Sequence, residues 1–215
     1  MIKKERLSHQ TFNKKNFKQI CDQLAAVDGD LQIILDSYGY PPLWKRTPGF
    51  ETLVQIILEQ QVSLASAKAA YMKLRERLTN ITPEAILLLT DEELRACYFS
   101  RQKIIYTRHL AAVISSGQLD LKQFKKFNND QVRSALIQIK GIGNWTVDVY
   151  LMMAMQRTDL FPLGDIALIN SIKAIKKLEP AITKLDIAQL AESWKPYQTV
   201  AAYMLWHAYL SKKKR

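Results

Sequence analysis

Two helices are predicted to meet in the stretch Ile139-Lys140-Gly141-Ile142-Gly143-Asn144-Trp145-Thr146. Apolar residues recur at helical spacing before the turn, over residues 131–139, and again in the residues that follow it. Glycine has no Cβ, so Gly141 and Gly143 allow the turn to reach positive φ and let the backbone approach a neighbour closely. The stretch therefore predicts a helical hairpin over residues 131–155.

The second helix of the hairpin is predicted to begin beside the glycines. The N–H groups of Gly143, Asn144 and Trp145 would have no partner within that helix, and a helix carries partial positive charge at its N-terminal end. Such an end can bind a phosphate oxygen, a contact that holds DNA without reading its sequence. A turn that only allows close packing of two helices is the alternative.

Length and composition indicate a globular protein with one large or two small domains. The chain has 215 residues, of which 48% are apolar, enough for a packed core. Its 31 Lys and Arg exceed its 20 Asp and Glu, and the net charge of +11 favours a polyanionic partner such as nucleic acid. A solvated basic surface is the alternative, and some of the charge lies at the chain ends, in residues 3–6 and 212–215.

Several classes of protein are disfavoured by the sequence. No apolar run approaches the ~20 residues of a membrane span, and the charged N-terminus lacks the apolar core of a secretory signal. Two cysteines, Cys21 and Cys97, are too few for a zinc or iron–sulphur cluster, so we expect them to be buried and reduced. We therefore expect a cytoplasmic protein without membrane association or iron–sulphur cofactor, meeting DNA in the nucleoid or nucleus.

The periodic stretches are almost all helical, which predicts an all-α fold. Helices are expected at residues 16–27, 31–37, 50–62, 66–78, at Thr82-Pro83-Glu84, at 91–97, 101–115 and 119–124, in the hairpin, and at 166–178 and 197–210. If the first and last segments pack together, residues 1–49 plus 158–215 form one helical lobe and residues 50–157 form another. An interdomain cleft would then have Asp165 at its rim.

Four blocks of sequence stand out together. They are Phe50-Glu51-x-Leu53 with Ile57-Leu58-Glu59-Gln60-Gln61-Val62-Ser63, the hairpin from Ile139 to Trp145, Phe161-Pro162 with Asp165, and Trp194-Lys195-Pro196-Tyr197 with Trp206. In their order and spacing the chain resembles the helix-hairpin-helix DNA glycosylases, within them the alkylated-base branch of 3-methyladenine DNA glycosylase II. The resemblance implies an enzyme of base excision repair that bends duplex DNA, flips out a damaged nucleotide and cuts its N-glycosidic bond.

The resemblance implies that Asp165 is the catalytic carboxylate and that Trp145 and Trp206 line the base pocket. An anion near the sugar stabilises the oxocarbenium-like charge that develops as the bond breaks, or orients the attacking water. An ordinary helix N-cap is the alternative for Asp165, and the two roles can coexist. An alkylated, cationic purine stacks on electron-rich rings with up to ~2 kcal/mol of cation–π energy, whereas core packing is the alternative for both tryptophans.

The residue at position 145 also bears on the reaction type. Bifunctional relatives carry a lysine there, whose amine forms a Schiff base with the sugar. Trp145 therefore predicts hydrolysis that leaves an abasic site without strand cleavage. Gln60 and Val149 match pocket positions, although the nearest relatives carry a tyrosine in place of Val149, and Gln61 matches the residue that wedges into the gap left by the flipped base. Both glutamines would otherwise be helix-surface residues.

Contacts to the DNA backbone are implied for the turn and the start of the second helix. The residues concerned are Lys140, Gly141, Ile142, Gly143, Asn144 and Thr146. In this family hairpin carbonyls can also hold a structural sodium or potassium ion, and the matching residues are Ile137, Ile139 and Ile142. The implied partner is double-stranded DNA with bases of the 3-methyladenine or 7-methylguanine type, bound by a monomer. A glycosylase for oxidised or deaminated bases and a non-catalytic DNA-binding hairpin module are the alternatives.

Overall fold

The described part of the chain is helical. The computed structural model describes residues 11–212, so the basic segments 3–6 and 213–215 lie outside it. Within the described residues no strand forms, and the β-type pairing is an isolated bridge between Thr11 and Arg157. The predicted all-α fold is confirmed.

The chain divides into two compact units. Unit 1 consists of Met1–Lys45 and Leu151–Arg215, and unit 2 is Arg46–Tyr150. The divisions thus fall after residues 45 and 150, a few residues before the expected positions 49 and 157. Helix α9, Asn144–Met153, runs across the second division.

Unit 1 is built around its last helix. Its helices are α1 Phe17–Val27, α2 Gly29–Tyr38, α10 Ile166–Ile175, α11 Lys184–Glu192 and α12 Gln198–Lys212. Helix α12 packs against α1, α2 and α10, and its residues 198–206 are all buried. This burial suits a helix that is apolar on nearly every side. Its two buried polar residues are satisfied, because Gln198 donates to the Ala191 carbonyl and Thr199 to the Leu160 carbonyl.

Unit 2 is built around α7. Its helices are α3 Phe50–Glu59, α4 Leu64–Arg77, α5 Pro83–Leu88, α6 Asp91–Ala96, α7 Arg101–Ser115 and α8 Asn129–Leu136, with a 3-10 helix at Leu121–Lys126. Helix α7 packs against α3, α5 and α6. The predicted start of α5 is confirmed, since the Thr82 hydroxyl accepts the Ala85 N–H and Pro83 occupies the first turn.

Two helices end three residues earlier than predicted, and one segment forms a different type of helix. Helix α3 ends at Glu59 instead of residue 62, because Gln61 adopts a φ of 55° that a helix cannot continue. Helix α10 ends at Ile175 instead of 178, two residues before Lys177 at a φ of 51°. Residues 119–124 were expected to form an α-helix, but the 3-10 helix takes their place.

The expected burial of both cysteines is confirmed. Cys21 and Cys97 are both buried, and burial raises the pKa of the Cys21 thiol to about 12. Such thiols stay protonated and unreactive at neutral pH. Among the described helices, none combines the length and the apolar character that crossing a membrane requires.

Candidate active site and nucleic-acid interface

The predicted hairpin is present in unit 2. Helix α8 and helix α9 are joined by a turn over residues 137–143. Two backbone hydrogen bonds fold this turn, from Ile139 N–H to the Leu136 carbonyl at 3.1 Å and from Ile142 N–H to the Ile139 carbonyl at 3.0 Å. Lys140, Gly143 and Asn144 are exposed, so they lie on the surface of the unit, whereas the Ile142 side chain is buried.

The structure requires glycine at position 141 but leaves space for a side chain at position 143. Gly141 has a φ of 88°, and a Cβ built on it would lie 2.1 Å from Cγ of Tyr106. Its backbone therefore rests directly on the Tyr106 ring. Gly143 does not adopt positive φ, which corrects the expectation for that residue, and a Cβ there would meet nothing within 4 Å.

An arginine joins the two helices of the hairpin. Arg133 on α8 donates to Oδ1 of Asn144 at 2.9 Å and forms an ion pair with Asp148 on α9. Burial raises the pKa of the Asp148 carboxyl, while the hydrogen bond from Arg133 acts in the opposite direction. The pair links the two helices directly, and no sequence pattern indicates it.

Gln60 holds the end of α3 against the hairpin. Its side-chain amide donates to the Gly141 carbonyl at 2.8 Å and to Oγ1 of Thr146 at 2.9 Å. The alternative of a simple surface glutamine is therefore wrong. The Thr146 side chain is only 2% exposed, so its hydroxyl serves this internal contact instead of facing a ligand.

The remaining predicted residues of unit 2 differ in exposure. Gln61 is exposed, and its φ of 55° is a left-handed conformation that a non-glycine residue adopts at some cost in energy. Trp145 is half-buried, whereas Val149 is only 2% exposed and fills the interior. Strained, exposed positions such as Gln61 are enriched at functional sites.

Asp165 lies at the start of α10 in unit 1. It is the N-cap of the helix, and its Oδ1 accepts the Leu168 N–H at 2.8 Å. The same oxygen accepts Nε1–H of Trp206 at 3.0 Å. The N-cap interpretation is thus right, and Asp165 also contacts Trp206, the other residue of unit 1 to which the family resemblance gives a role in the site.

Trp206 belongs to an aromatic cluster. Its ring packs edge-on against Trp44 at 6.3 Å between centroids and lies 5.8 Å from the ring of Tyr203. Tyr203 in turn donates its hydroxyl to the Trp44 carbonyl at 2.9 Å. Trp44 was not predicted as a site residue, and its sequence neighbourhood carries no pattern that would reveal this contact.

A partly buried ion pair stabilises the segment that carries Asp165. Lys176 follows directly after α10 and pairs with Asp28 at 2.8 Å, and Nε1–H of Trp194 donates to the same Asp28 oxygen at 2.8 Å. The Trp194 ring packs on Phe161 at 5.7 Å, just before the Asp165 loop. Burial by itself raises the pKa of Asp28, but the hydrogen bonds from Lys176, Trp194 and the Asp30 N–H, together with the charge of Lys176, lower the pKa overall.

The chain matches one protein-family model and is similar to known DNA glycosylases. A family model described as "HhH-GPD superfamily base excision DNA repair protein" matches residues 54–196. DNA-3-methyladenine glycosylase 1 of Schizosaccharomyces pombe is 31% identical over 166 residues, covering 75% of this chain and 72% of the relative.

Two solved structures resemble this chain over most of their length. The 3-methyladenine DNA glycosylase of Schizosaccharomyces pombe in complex with abasic DNA has a TM-score of 0.81 and 28% identity, covering 87% of this chain and 95% of the other. The DNA-3-methyladenine glycosidase of Bacillus halodurans has a TM-score of 0.72 and 29% identity, covering 96% and 94%.

Proposed function

The chain belongs to the HhH-GPD superfamily of base excision DNA repair proteins, and from this premise we propose that it is a monofunctional DNA glycosylase for alkylated purines. Its substrates would be bases of the 3-methyladenine and 7-methylguanine type in double-stranded DNA, in the cytoplasm, at the nucleoid or in a nucleus. The names of the relatives that it resembles support the substrate class.

One observation carries the proposal. A single oxygen of Asp165 accepts both the backbone N–H of Leu168 and the indole N–H of Trp206. Two donors from two helices fix the plane and position of the carboxylate, and the start of α10 carries partial positive charge that favours an anion. A plain helix cap needs only the first of these bonds, so the second supports a carboxylate held for chemistry.

In the proposed reaction the bond between C1′ of the sugar and N9 of the alkylated purine breaks. The bonding electron pair leaves with the base and neutralises its positive charge, while the sugar becomes oxocarbenium-like. The Asp165 carboxylate stabilises that developing charge, and a water oxygen bonds to C1′ and releases a proton to solvent. The products are a free base and an abasic site.

Two further features support this reaction. An alkylated purine is already cationic and a good leaving group, so it requires little acid catalysis. The Trp206 ring is proposed to contact the base, together with Trp145, because a cation is attracted to an electron-rich ring face. A tryptophan at position 145 also lacks the amine that a Schiff-base intermediate requires, which supports hydrolysis without strand cleavage.

We propose that the hairpin of unit 2 holds the DNA backbone and that Gln61 wedges into the duplex. The exposed residues Lys140, Gly143 and Asn144 lie where backbone amides and one positive charge can meet phosphate oxygens. Gln61 is exposed beside the Gln60 link to the turn. A side chain that fills the gap left by a flipped base offsets part of the unstacking cost of a few kcal/mol.

A monovalent cation at the hairpin is a further part of this proposal. The carbonyls of Ile137, Ile139 and Ile142 are neutral oxygen ligands of the type that binds sodium or potassium. The Ile139 carbonyl already accepts the Ile142 N–H at 3.0 Å, and a second lone pair remains on that oxygen. The ion would stabilise the turn and take no part in the chemistry.

The experiment is a lesion panel. Duplexes containing 3-methyladenine, 7-methylguanine, 8-oxoguanine or uracil are incubated with the protein, and the released bases are quantified. We expect release of the two alkylated purines only. Release of the oxidised or deaminated base instead would assign a different lesion class, and salt-sensitive DNA binding without any release would assign a non-catalytic binding module.

A further inference from the structure

Helix α7 supports both segments of unit 2 that are proposed to touch DNA. Its side chains Lys103, Tyr106 and His109 recur every three residues, a spacing that places successive members on neighbouring parts of the helix surface. Tyr106 and His109 contact the hairpin turn, and Lys103 contacts the end of α3. The sequence prediction assigned none of these three residues to the DNA interface.

The Tyr106 ring is the surface on which the turn rests. A Cβ added to Gly141 would lie 2.1, 2.3 and 2.4 Å from three ring carbons of Tyr106. Distances this short leave no space for any side chain between the Gly141 backbone and the Tyr106 ring. The Tyr106 ring therefore limits how closely the turn can approach α7.

His109 fixes the peptide group immediately before Gly141. The N–H of Lys140 donates to Nδ1 of His109 at 3.2 Å. Because Nδ1 accepts this hydrogen bond, it carries no proton in this arrangement. The contact orients the Lys140 peptide plane, and with it the direction of the amides that follow in the turn.

Lys103 ties the end of α3 to the same helix. Its ammonium group donates to the Leu58 carbonyl, two residues before Gln60. The last carbonyls of a helix lack partners within the helix, and a cation there opposes the negative end of the dipole. Burial lowers the pKa of Lys103. The hairpin turn and the Gln60–Gln61 segment thus share one support.

We propose that Tyr106 and His109 are positioning residues that set the hairpin turn in its phosphate-binding conformation before DNA arrives. The inference rests on the proposed function, because it assumes that this turn binds DNA. Pre-set geometry raises affinity by removing the cost of ordering the turn on binding. It predicts an effect on DNA affinity and none on the bond-breaking step at Asp165.

Two matched pairs of variants test the inference. Tyr106→Phe keeps the ring and Tyr106→Leu removes it. His109→Asn keeps a side-chain acceptor at the same number of bonds from Cα as Nδ1, whereas His109→Leu removes it. Ile105→Ala, on the exposed side of α7, controls for general perturbation of the helix.

Three quantities are measured for each protein. They are the amide exchange rate of Lys140 without DNA, the Kd for a duplex with a stable abasic-site analogue, and the single-turnover rate of 7-methylguanine release at saturating protein. We expect both Leu variants to show faster exchange and a raised Kd. For His109→Leu the expected increase is roughly 3- to 10-fold, the range of one lost hydrogen bond. The release rate at saturation should be unchanged, and the Phe, Asn and Ala variants should behave like the wild type.

The outcomes separate this inference from the proposed function. A wild-type Kd for both Leu variants would overturn the positioning role. The role would also be overturned if His109→Asn weakened DNA binding as much as His109→Leu. Faster exchange throughout unit 2 with unchanged Kd shows a purely structural role and also overturns it. A wild-type protein that binds the duplex but releases no base refutes the proposed enzyme while the exchange and Kd comparisons still decide the positioning role. A wild-type protein that does not bind the duplex overturns both.

Discussion

Replacing Gly141 with alanine should destabilise the protein, whereas the same replacement at Gly143 should not. At Gly141 the new methyl group would lie 2.1 Å from the Tyr106 ring, and the backbone has a φ of 88°. At Gly143 the methyl group would meet nothing within 4 Å, and φ is not positive. The two substitutions are chemically identical and only two residues apart, so each is the control for the other.

The expected loss at Gly141 follows from two costs. An L-residue held in a left-handed conformation costs about 1–2 kcal/mol, and forcing an extra group into a packed interior costs about 1–3 kcal/mol. Together they predict a decrease of about 2–5 kcal/mol in the free energy of unfolding. For a chain of this length, about 2–4 °C of Tm is lost per kcal/mol, so Tm should fall by about 4–20 °C.

Circular dichroism during thermal and urea unfolding measures both variants. Gly143→Ala should change the free energy of unfolding by less than about 1 kcal/mol, because alanine also lowers the entropy of the unfolded chain. The reasoning is refuted if Gly141→Ala unfolds with the wild-type Tm, or if Gly143→Ala loses as much stability.

The same pair also tests the role of Gly143. Its missing Cβ leaves open space where the hairpin is proposed to meet a phosphate. Gly143→Ala should therefore raise the Kd for duplex DNA about tenfold or more, the effect of losing one hydrogen bond to a charged group. Fluorescence anisotropy measures this Kd, and unchanged affinity would show that Gly143 is not a DNA contact.

Three other predictions concern the reaction type, the hairpin charge and the Asp28 ion pair. With Trp145 in place of a lysine, borohydride should trap no covalent protein–DNA complex during turnover, and a trapped complex would contradict a purely hydrolytic reaction. Lys140→Ala should make the slope of log K against log salt shallower by about 0.9 if this lysine neutralises one phosphate, and an unchanged slope would place it in solvent. The hydrogen bonds of Asp28 lower its pKa in the folded state, so its contribution to stability is present at neutral pH and is lost as the pH falls from about 4 toward 2. Urea unfolding of Asp28→Asn, which keeps a helix-capping side chain, should therefore show a shallower pH dependence than the wild type over that range, and an equally steep one would contradict the assignment.

Local spacing in the sequence was enough to predict much of the fold. The hairpin could be recognised because apolar periodicity stops and restarts around Gly141 and Gly143. The start of α5 was visible in Thr82 and Pro83. Helix α11 was missed although Thr183 and Asp186 form a capping box at its start. It is short, and periodicity is a weak signal over so few residues.

The contacts that define the candidate site could not be predicted from local patterns. Gln60 reaches a carbonyl 81 residues away, and Trp206 reaches Asp165 across 41 residues. Only the packing of helices brings such pairs together. The sequence likewise does not show that the Tyr106 ring lies against Gly141. It therefore gives no reason to distinguish Gly141, which has positive φ, from Gly143, which does not.

The central claim is that Asp165 is held for catalysis, and Asp165→Asn tests it most directly. Asparagine can still cap α10 and accept the Trp206 N–H, so the fold should be kept while the negative charge is removed. Single-turnover release of 7-methylguanine from methylated duplex DNA is compared at saturating protein, with Tm and Kd measured alongside. We expect wild-type Tm and Kd with a release rate lower by about 100-fold or more. A release rate within roughly twofold of the wild-type rate would contradict the claim, because the expected decrease is about 100-fold or more.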